Sequence, residues 1–600
     1  MVKRSRTSSL TVLKRAASDD SMKPAVSTGA QSMKKTRKDV KFLPNKIATA
    51  ENAGKADKNP PFVQLTLCMN STLKTVGGGE SVVYWMRMED MRLRDNRALS
   101  QASSQAVKNG VPLLVLFAIS PQDYNAYDRS ARRVDFVLRN LSALKSQLAE
   151  MNIPLYTVTH SPRVTLPSRI MTIMSEVKAT YLFANVEHEV DELRRDIQVC
   201  KLAKEAKVKA TFVHDKCIIT PGVVKSKEGK TYTVYSPFLR AWLPHLTDEP
   251  DPLACAPEIK PNDESIYKHP IFGKLFNSPV PRAVEGFELD DSDAETMSTC
   301  WPAGENAARE MLQRFLRTKA RSSQLGAADP LAKGASEPQK NSLKDSRIGK
   351  YKDARDRVDA DTTSRLSPYL AAGIISAREC IRATTEFTKS NKIDASRETG
   401  VGRWVQEIAW RDFYTHVLAM YPRVSMGRPF MEKYADVSWE TNEEHLQAWK
   451  EGRTGVPIVD AGMRQANTMG WMHNRVRMIV AMYLVKDLMI DWRLGEKYFM
   501  ETLIDGDLAS NNGGWQWSAS TGVDPVPYFR IFNPYTQSKK ADPTGEYIRY
   551  FVPELGKVRG EDVHNPSAKI AEKLGYPTPL VKHDEARQRA IRRYKNPGDN

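Results

Sequence analysis

Five short apolar runs recur between residues 82 and 214: "VVYWM" (82–86), "VPLLVLFAI" (111–119), "IPLYTVT" (153–159), "ATYLFAN" (179–185) and "KATFVH" (209–214). Each has strand length and little polar alternation, as expected of a strand covered on both faces. Longer segments lie between them, such as "RRVDFVLRNLSALKSQLAEM" (132–151), with apolar residues at helical spacing. Strands separated by helices pair in parallel, so this part of the chain is constrained to an α/β domain with a doubly wound parallel sheet. No GxGxxG follows the first run, which leaves a standard dinucleotide site unsupported there.

The flanks differ in composition. Of the formal charge of +17, about half lies in residues 1–60, which hold 14 Lys or Arg against 5 Asp or Glu. Poor in large apolar residues, the segment 1–78 reads as a basic disordered extension. Its first 18 residues carry five bases and no acid, as a mitochondrial presequence does, and "KKTRK" (34–38) suits a nuclear import signal. A solvated tail is the plain alternative for each. The remaining positive excess favours a polyanionic partner. No run of 18 apolar residues could span a bilayer, and six scattered cysteines without a CxxC suggest neither a zinc site nor a disulfide framework. The α/β domain is expected over 79–220. Proline-rich residues 221–300, with the acidic "ELDDSDAE" (288–295), read as an interdomain linker, and "SSQLGAADPLAKGASEPQKNS" (322–342) reads as an inserted loop. Residues 301–582 read as mostly helical, followed by a tail at 583–600.

Three clusters in the helical half carry the chemistry. In "DTTSRLSPYLAAGIIS" (361–376), hydroxyls and Arg365 stand at a helix start, suited to a phosphate or to simple capping. In "GRWVQEIAWRDFY" (402–414), Trp404, Glu407, Trp410, Arg411 and Tyr414 share one helical face. Burying Glu and Arg among aromatics is costly without partners, so a lined cavity competes with a plain core stripe, and Arg411 is the simple structural partner for Glu407. Third, "GWMHNRVRM" (470–478) precedes "LIDGDLASNNGGWQWSASTG" (503–522). Arg475 and Arg477 can pair with Asp505 and Asp507, the amides of Asn474, Asn511 and Asn512 suit a heteroaromatic edge, and Gly513 and Gly514 permit close backbone approach. A polar network that merely fixes helices is the alternative for each.

Together, "TSRLSPYLAAG", "WVQEIAWRDFY", "GVPIVDAGMRQ", "GWMHNRVRM", "DWRLGEKYF" and "IDGDLASNNGGWQWSASTGVDPVPYFRIFNP" closely resemble the DNA photolyase and cryptochrome family, specifically class I photolyases of cyclobutane pyrimidine dimers. The resemblance spans roughly residues 78–582 and is fungal-like in its extended N-terminus. It implies that the helical domain binds FAD. Tyr351 and the run Thr363, Ser364, Arg365, Leu366 and Ser367 would hold ribose and phosphates, with Arg411 also on the cofactor. Asp505, paired to Arg477, and Asp507 would lie at the flavin and ribityl side, and Asn511 would face flavin N5. Trp410 and Trp517 would stack on the flipped-out dimer, in a pocket also lined by Arg355, Trp404 and Met478. Glu407 and Asn474 would hydrogen-bond the dimer while excited, reduced FAD lends it an electron. Trp515, Trp492 and Trp439 match the family's electron chain from surface to flavin. His473 is followed by Asn474, where (6-4) photolyases carry a second histidine, which favours cyclobutane dimers.

For the antenna chromophore of the α/β domain, the resemblance implies Tyr127, Asp191 and Glu192. 5,10-Methenyltetrahydrofolate is the first choice, and a deazaflavin or no antenna stands behind it. The partner implied is double-stranded DNA containing such dimers, bound by a monomer without membrane or metal, in nucleus, mitochondrion or both. A cryptochrome photoreceptor is the alternative. Such proteins commonly replace the residue at Asn511 and add a long tail.

Overall fold

The computed structural model describes residues 47–71, 73, 76–319 and 345–598. Both import-signal segments and the 322–342 insertion lie outside the described residues. The five apolar runs form five parallel strands, β1 (Ser81–Met86), β2 (Leu113–Ile119), β3 (Leu155–Thr159), β4 (Ala179–Asn185) and β5 (Lys209–Val213). Their order in the sheet is β3-β2-β1-β4-β5. β1 pairs with both β2 and β4, so the strand order reverses beside it. Open α/β sheets usually bind ligands in the crevice at that point. Side chains take up this one. Arg87 lies 3.8 Å above the Trp85 ring and pairs with Glu187 (2.9 Å) and Asp196 (3.1 Å), while Tyr84 Oη donates to Asp90 (2.7 Å).

The two sheet faces are covered differently. One packs into a core shared with the helical half, through residues such as Tyr84, Phe117, Phe136, Trp242, Tyr369 and Phe413. The other packs on Leu166, Ile170, Leu193 and Val199. Helices dominate from Asp291 onward, and no described helix is long and apolar enough to cross a membrane.

Three segments depart from the sequence reading. Within the expected disordered extension, Ala50–Lys58 and Pro61–Asn70 are helices. Composition averaged over 78 residues hides "PFVQLTLCMN", whose Phe62 and Leu65 are buried; Phe62 lies against His188 and His214 at 5.7 and 5.4 Å. The expected linker contains the Tyr235–His245 helix, which buries Tyr235, Phe238 and Trp242. The expected tail forms the His583–Lys595 helix, whose Tyr594 is buried beside Tyr434, Val437 and Met489.

Candidate active site

Gly400–Met420 is a 21-residue helix, and its middle is buried except along one stripe. Val405, Ile408, Ala409, Asp412 and Phe413 face the core, while Glu407, Trp410, Arg411 and Tyr414 are half-buried. The three- and four-residue spacing therefore does put a mixed aromatic and charged face on one wall. Trp404 departs from it. It is 3% exposed and packs on Phe315 at 5.2 Å, so it belongs to the core rather than to a substrate surface.

Arg355 donates to Glu407 Oε1. Burial raises the Glu407 carboxyl pKa and the Arg355 guanidinium opposes that rise. A Glu407–Arg411 pair does not form, because Arg411 donates instead to the Lys216 (2.7 Å) and Leu370 (3.2 Å) carbonyls. Trp410 stacks on Tyr235 with 3.6 Å between centroids and 7° between planes.

The facing wall is Leu508–Ser518, helical despite its polarity because Asp507 caps it, accepting from the Ser510 amide at 2.9 Å. Only one of its paired glycines is sterically required. A Cβ on Gly513 would lie 2.2 Å from the Tyr414 ring, whereas one on Gly514 would meet nothing within 4 Å. Trp515 and Trp517, two positions apart on this helix, point to different sides. Trp515 is buried against Phe499 (5.0 Å) and Trp449 (6.0 Å), and Trp517 is half-buried near Phe532 (6.4 Å). Trp492 is buried with the Arg493 guanidinium 4.9 Å from its ring centre. Trp439 is half-buried, edge-on to Tyr594 at 6.1 Å.

The acids separate. Arg477 grips Asp505 with two bonds of 3.1 and 2.8 Å. Arg475 pairs with Asp356 at 2.8 Å rather than with Asp507, whose partner is Lys216 at 3.0 Å. Burial alone would raise Asp507, but Lys216 and Arg411 beside it hold its carboxyl far below the usual range. Asn511 donates to the Glu496 carbonyl (2.9 Å), and Asn512 to the Glu496 carboxylate (2.8 Å) and the Val424 carbonyl (3.0 Å). Burial pushes Glu496 up to about 7. Asn474 is exposed at the start of its helix, its amide 3.9 Å from the Met478 sulfur one turn on.

Tyr351 is half-buried, edge-on to Phe315 at 5.5 Å. The hydroxyl run is not a helix cap. The short Ser367–Ala371 helix has Leu366 at its N-cap and no side-chain cap bond. Thr363 and Ser364 are half-buried and Ser367 exposed, its Oγ accepting from Trp471 Nε1 at 3.1 Å. Arg365 is buried in a left-handed conformation (φ 54°), 3.6 Å from Asp361 and 5.5 Å from the Trp471 ring centre. Such a backbone costs free energy and collects at functional sites.

Residues 82–258 match the family model described as DNA photolyase, and residues 404–596 match the FAD binding domain of DNA photolyase. The deoxyribodipyrimidine photo-lyase of Neurospora crassa is 42% identical over 578 residues, 92% of this chain and 89% of that protein. The deoxyribodipyrimidine photo-lyase of Vibrio cholerae is 36% identical over 85% of this chain and 98% of its own length. The chain belongs to the DNA photolyase family. In structure, a bacterial class III photolyase from Agrobacterium tumefaciens superposes with a TM-score of 0.69 at 30% identity, covering 88% of this chain and 99% of that one.

Several features of this photolyase-family chain fit a flavin. Among the described residues, His473 Nε2 is a buried nitrogen without a hydrogen-bond partner, and Asp507 Oδ2 has an ion pair but no well-aligned hydrogen bond. Sequence reasoning missed Lys216, Tyr235 and Glu496. Lys216 and Tyr235 come from regions that read as sheet connection and linker, and Glu496 lies inside "DWRLGEKYF" with nothing to mark its partner. The three antenna candidates do converge. Tyr127 Oη donates to Glu192 and accepts from the Asp191 amide (3.3 Å), and Arg163 pairs with Asp191 (2.7 Å). Cys217, Asp412 and His416 also lie within 4.8 Å of one another. They form part of the join between the halves. Asp412 accepts from the Ile218 and Ile219 amides (3.0 and 3.3 Å) and from Trp242 Nε1 (3.1 Å), and His416 Nε2 bonds the Ile219 carbonyl (2.7 Å).

Proposed function

We propose that this photolyase-family protein binds FAD in its helical half and repairs cyclobutane pyrimidine dimers in DNA under light. The observation that carries the reading is the half-buried wall of Glu407, Trp410 and Tyr414 facing the Asp507-capped helix that holds Trp515 and Trp517. When bound and reduced, FAD supplies the light-driven electron. The chain's residues do the rest. Arg477 orients Asp505, Lys216 orients Asp507, and Glu496 turns the Asn511 and Asn512 amides. Arg365, with Tyr351 and the Thr363–Ser367 run, suits the ribose and phosphates.

Trp410 and Trp517 present aromatic surface to extruded bases, each stack contributing roughly 1–3 kcal/mol without regard to base identity. Tyr235 behind Trp410 stiffens that surface. Glu407, whose carboxyl faces this opening with Arg355 beside it, hydrogen-bonds the lesion, and Asn474 and Met478 border the same opening. Arg355 charges the rim. Trp439, Trp492 and Trp515 carry electrons inward from the surface. Tyr127, Asp191 and Glu192 hold a methenyltetrahydrofolate antenna. The protein acts as a monomer on double-stranded DNA in nucleus or mitochondrion.

The test is to illuminate the purified, pre-reduced protein with dimer-containing duplex and measure dimers remaining. Loss of dimers in light but not in darkness is expected. Bound, photoreducible FAD without repair would refute the reading in favour of a photoreceptor. Binding is checked by salt: phosphate contacts should make log K fall by about 0.9 per phosphate neutralised against log salt, and Trp410→Ala should lose the preference for damaged over undamaged duplex.

A further inference from the structure

The α/β half contributes one charge directly to the wall opposite. Lys216 lies in the loop after β5, almost wholly buried, and its ammonium pairs with Asp507 (3.0 Å) of the helical half and Glu89 (2.7 Å) of its own. Its backbone is clamped on every side. Asp215 before it is held by Arg92 and Arg378, its own carbonyl accepts from Arg411, and the Ile218 and Ile219 amides just after it donate to Asp412. The ammonium therefore has little freedom to leave Asp507.

Stability alone does not account for this arrangement. A buried ion pair gains little over apolar side chains of equal volume, because desolvation consumes most of the attraction. What a fixed buried charge does supply is a field, felt strongly where water is excluded. The groups facing the pair are Arg411, Arg133 and Glu189, with His188 beside Lys216, and Arg129 lies between Glu89 and Glu189 at 3.8 and 3.9 Å.

We propose that Lys216 is a positioning residue for the flavin: it fixes the Asp507 carboxylate in place and offsets its charge, so that the negative charge added on reduction is tolerated. This rests on the flavin reading above. It makes the sheet domain a determinant of the cofactor's redox balance, not only a platform for an antenna.

The experiment is spectroelectrochemical titration of FAD in the full-length wild type, Lys216→Met, Lys216→Arg and Glu89→Gln proteins across the neutral pH range. At a fixed poise, Lys216→Met should lower the ratio of reduced to oxidised flavin about tenfold, about 30 mV for a two-electron couple. It should also steepen the pH dependence that proton uptake on reduction already gives the wild type, as Asp507 begins to titrate. Lys216→Arg should restore both. Glu89→Gln, which removes the competing carboxylate, should shift the ratio in the opposite direction. FAD-loaded Lys216→Met with wild-type potential and pH profile would overturn the proposal. If Lys216→Met loses FAD, Glu89→Gln decides, and no shift or a downward one overturns it. Wild type that binds no FAD would instead sink the flavin reading itself.

Discussion

Adding one methyl group at Gly495 tests whether the position of Trp515 matters. A Cβ there would sit 2.1, 2.4 and 2.7 Å from three atoms of the Trp515 indole. Ordinary carbon contacts begin near 3.5 Å, so the ring or the Trp492–Thr502 helix must move by about 1.4 Å. The ring has nowhere easy to go, since buried Phe499 and Trp449 pack against it. Overpacking of this kind costs about 1–3 kcal/mol, partly offset by about 1 kcal/mol from the better helix propensity of alanine. The protein should therefore fold with a modest fall in midpoint. Photoreduction of oxidised FAD under steady illumination with an external reductant should slow clearly, while repair by pre-reduced protein stays near wild type. Gly514→Ala is the control, because nothing lies within 4 Å of its Cβ. Wild-type photoreduction in Gly495→Ala, or an equal loss in Gly514→Ala, would refute the reasoning.

Other outcomes follow from the same geometry. Trp439→Phe should block photoreduction yet spare repair by pre-reduced enzyme, and equal loss of both would make Trp439 purely structural. Glu407→Ala should lower repair yield and weaken dimer binding with FAD content normal, Glu407→Gln recovering part of the loss; a Glu407→Ala protein without FAD would count against a substrate role. Asp412→Ala leaves the Ile218 and Ile219 amides and Trp242 Nε1 without their acceptor, so denaturant unfolding should show a loss of about 3–5 kcal/mol, with less for Asp412→Asn. Glu496 holds its proton up to about pH 7 when folded and releases it near its ordinary value when unfolded, so the folded state binds more protons between those limits. Stability should fall as pH rises through that window, by at most about 3 kcal/mol and less for its partial exposure. Glu496→Gln should flatten the profile, and an unchanged slope would contradict the shift.

Periodicity carried the sheet and the stripe on Gly400–Met420, since both are properties of a single segment. "VVYWM" is a strand whose every residue is buried, and Glu407, Trp410, Arg411 and Tyr414 do share a face. Pairing was less legible because it depends on what the fold brings from afar. Asp507 finds Lys216, 291 positions away, not Arg475, and Glu407 finds Arg355. Tyr235 was hidden by the prolines around it, which suggested a linker although the residue between them is core. The helices at 50–70 were hidden by averaging a short apolar stretch into a long basic segment.

The join around residues 214–219 also limits how modular the molecule is. That loop brings the amides that satisfy Asp412 and the ammonium that satisfies Asp507, both buried carboxylates of the other half. A helical half expressed alone would leave Asp412 without the Ile218 and Ile219 amides and Asp507 without the Lys216 ammonium. A chimaera that exchanges one sheet domain for another must carry this hexapeptide across the splice, or it will inherit the strand order without the charges that the recipient was built around.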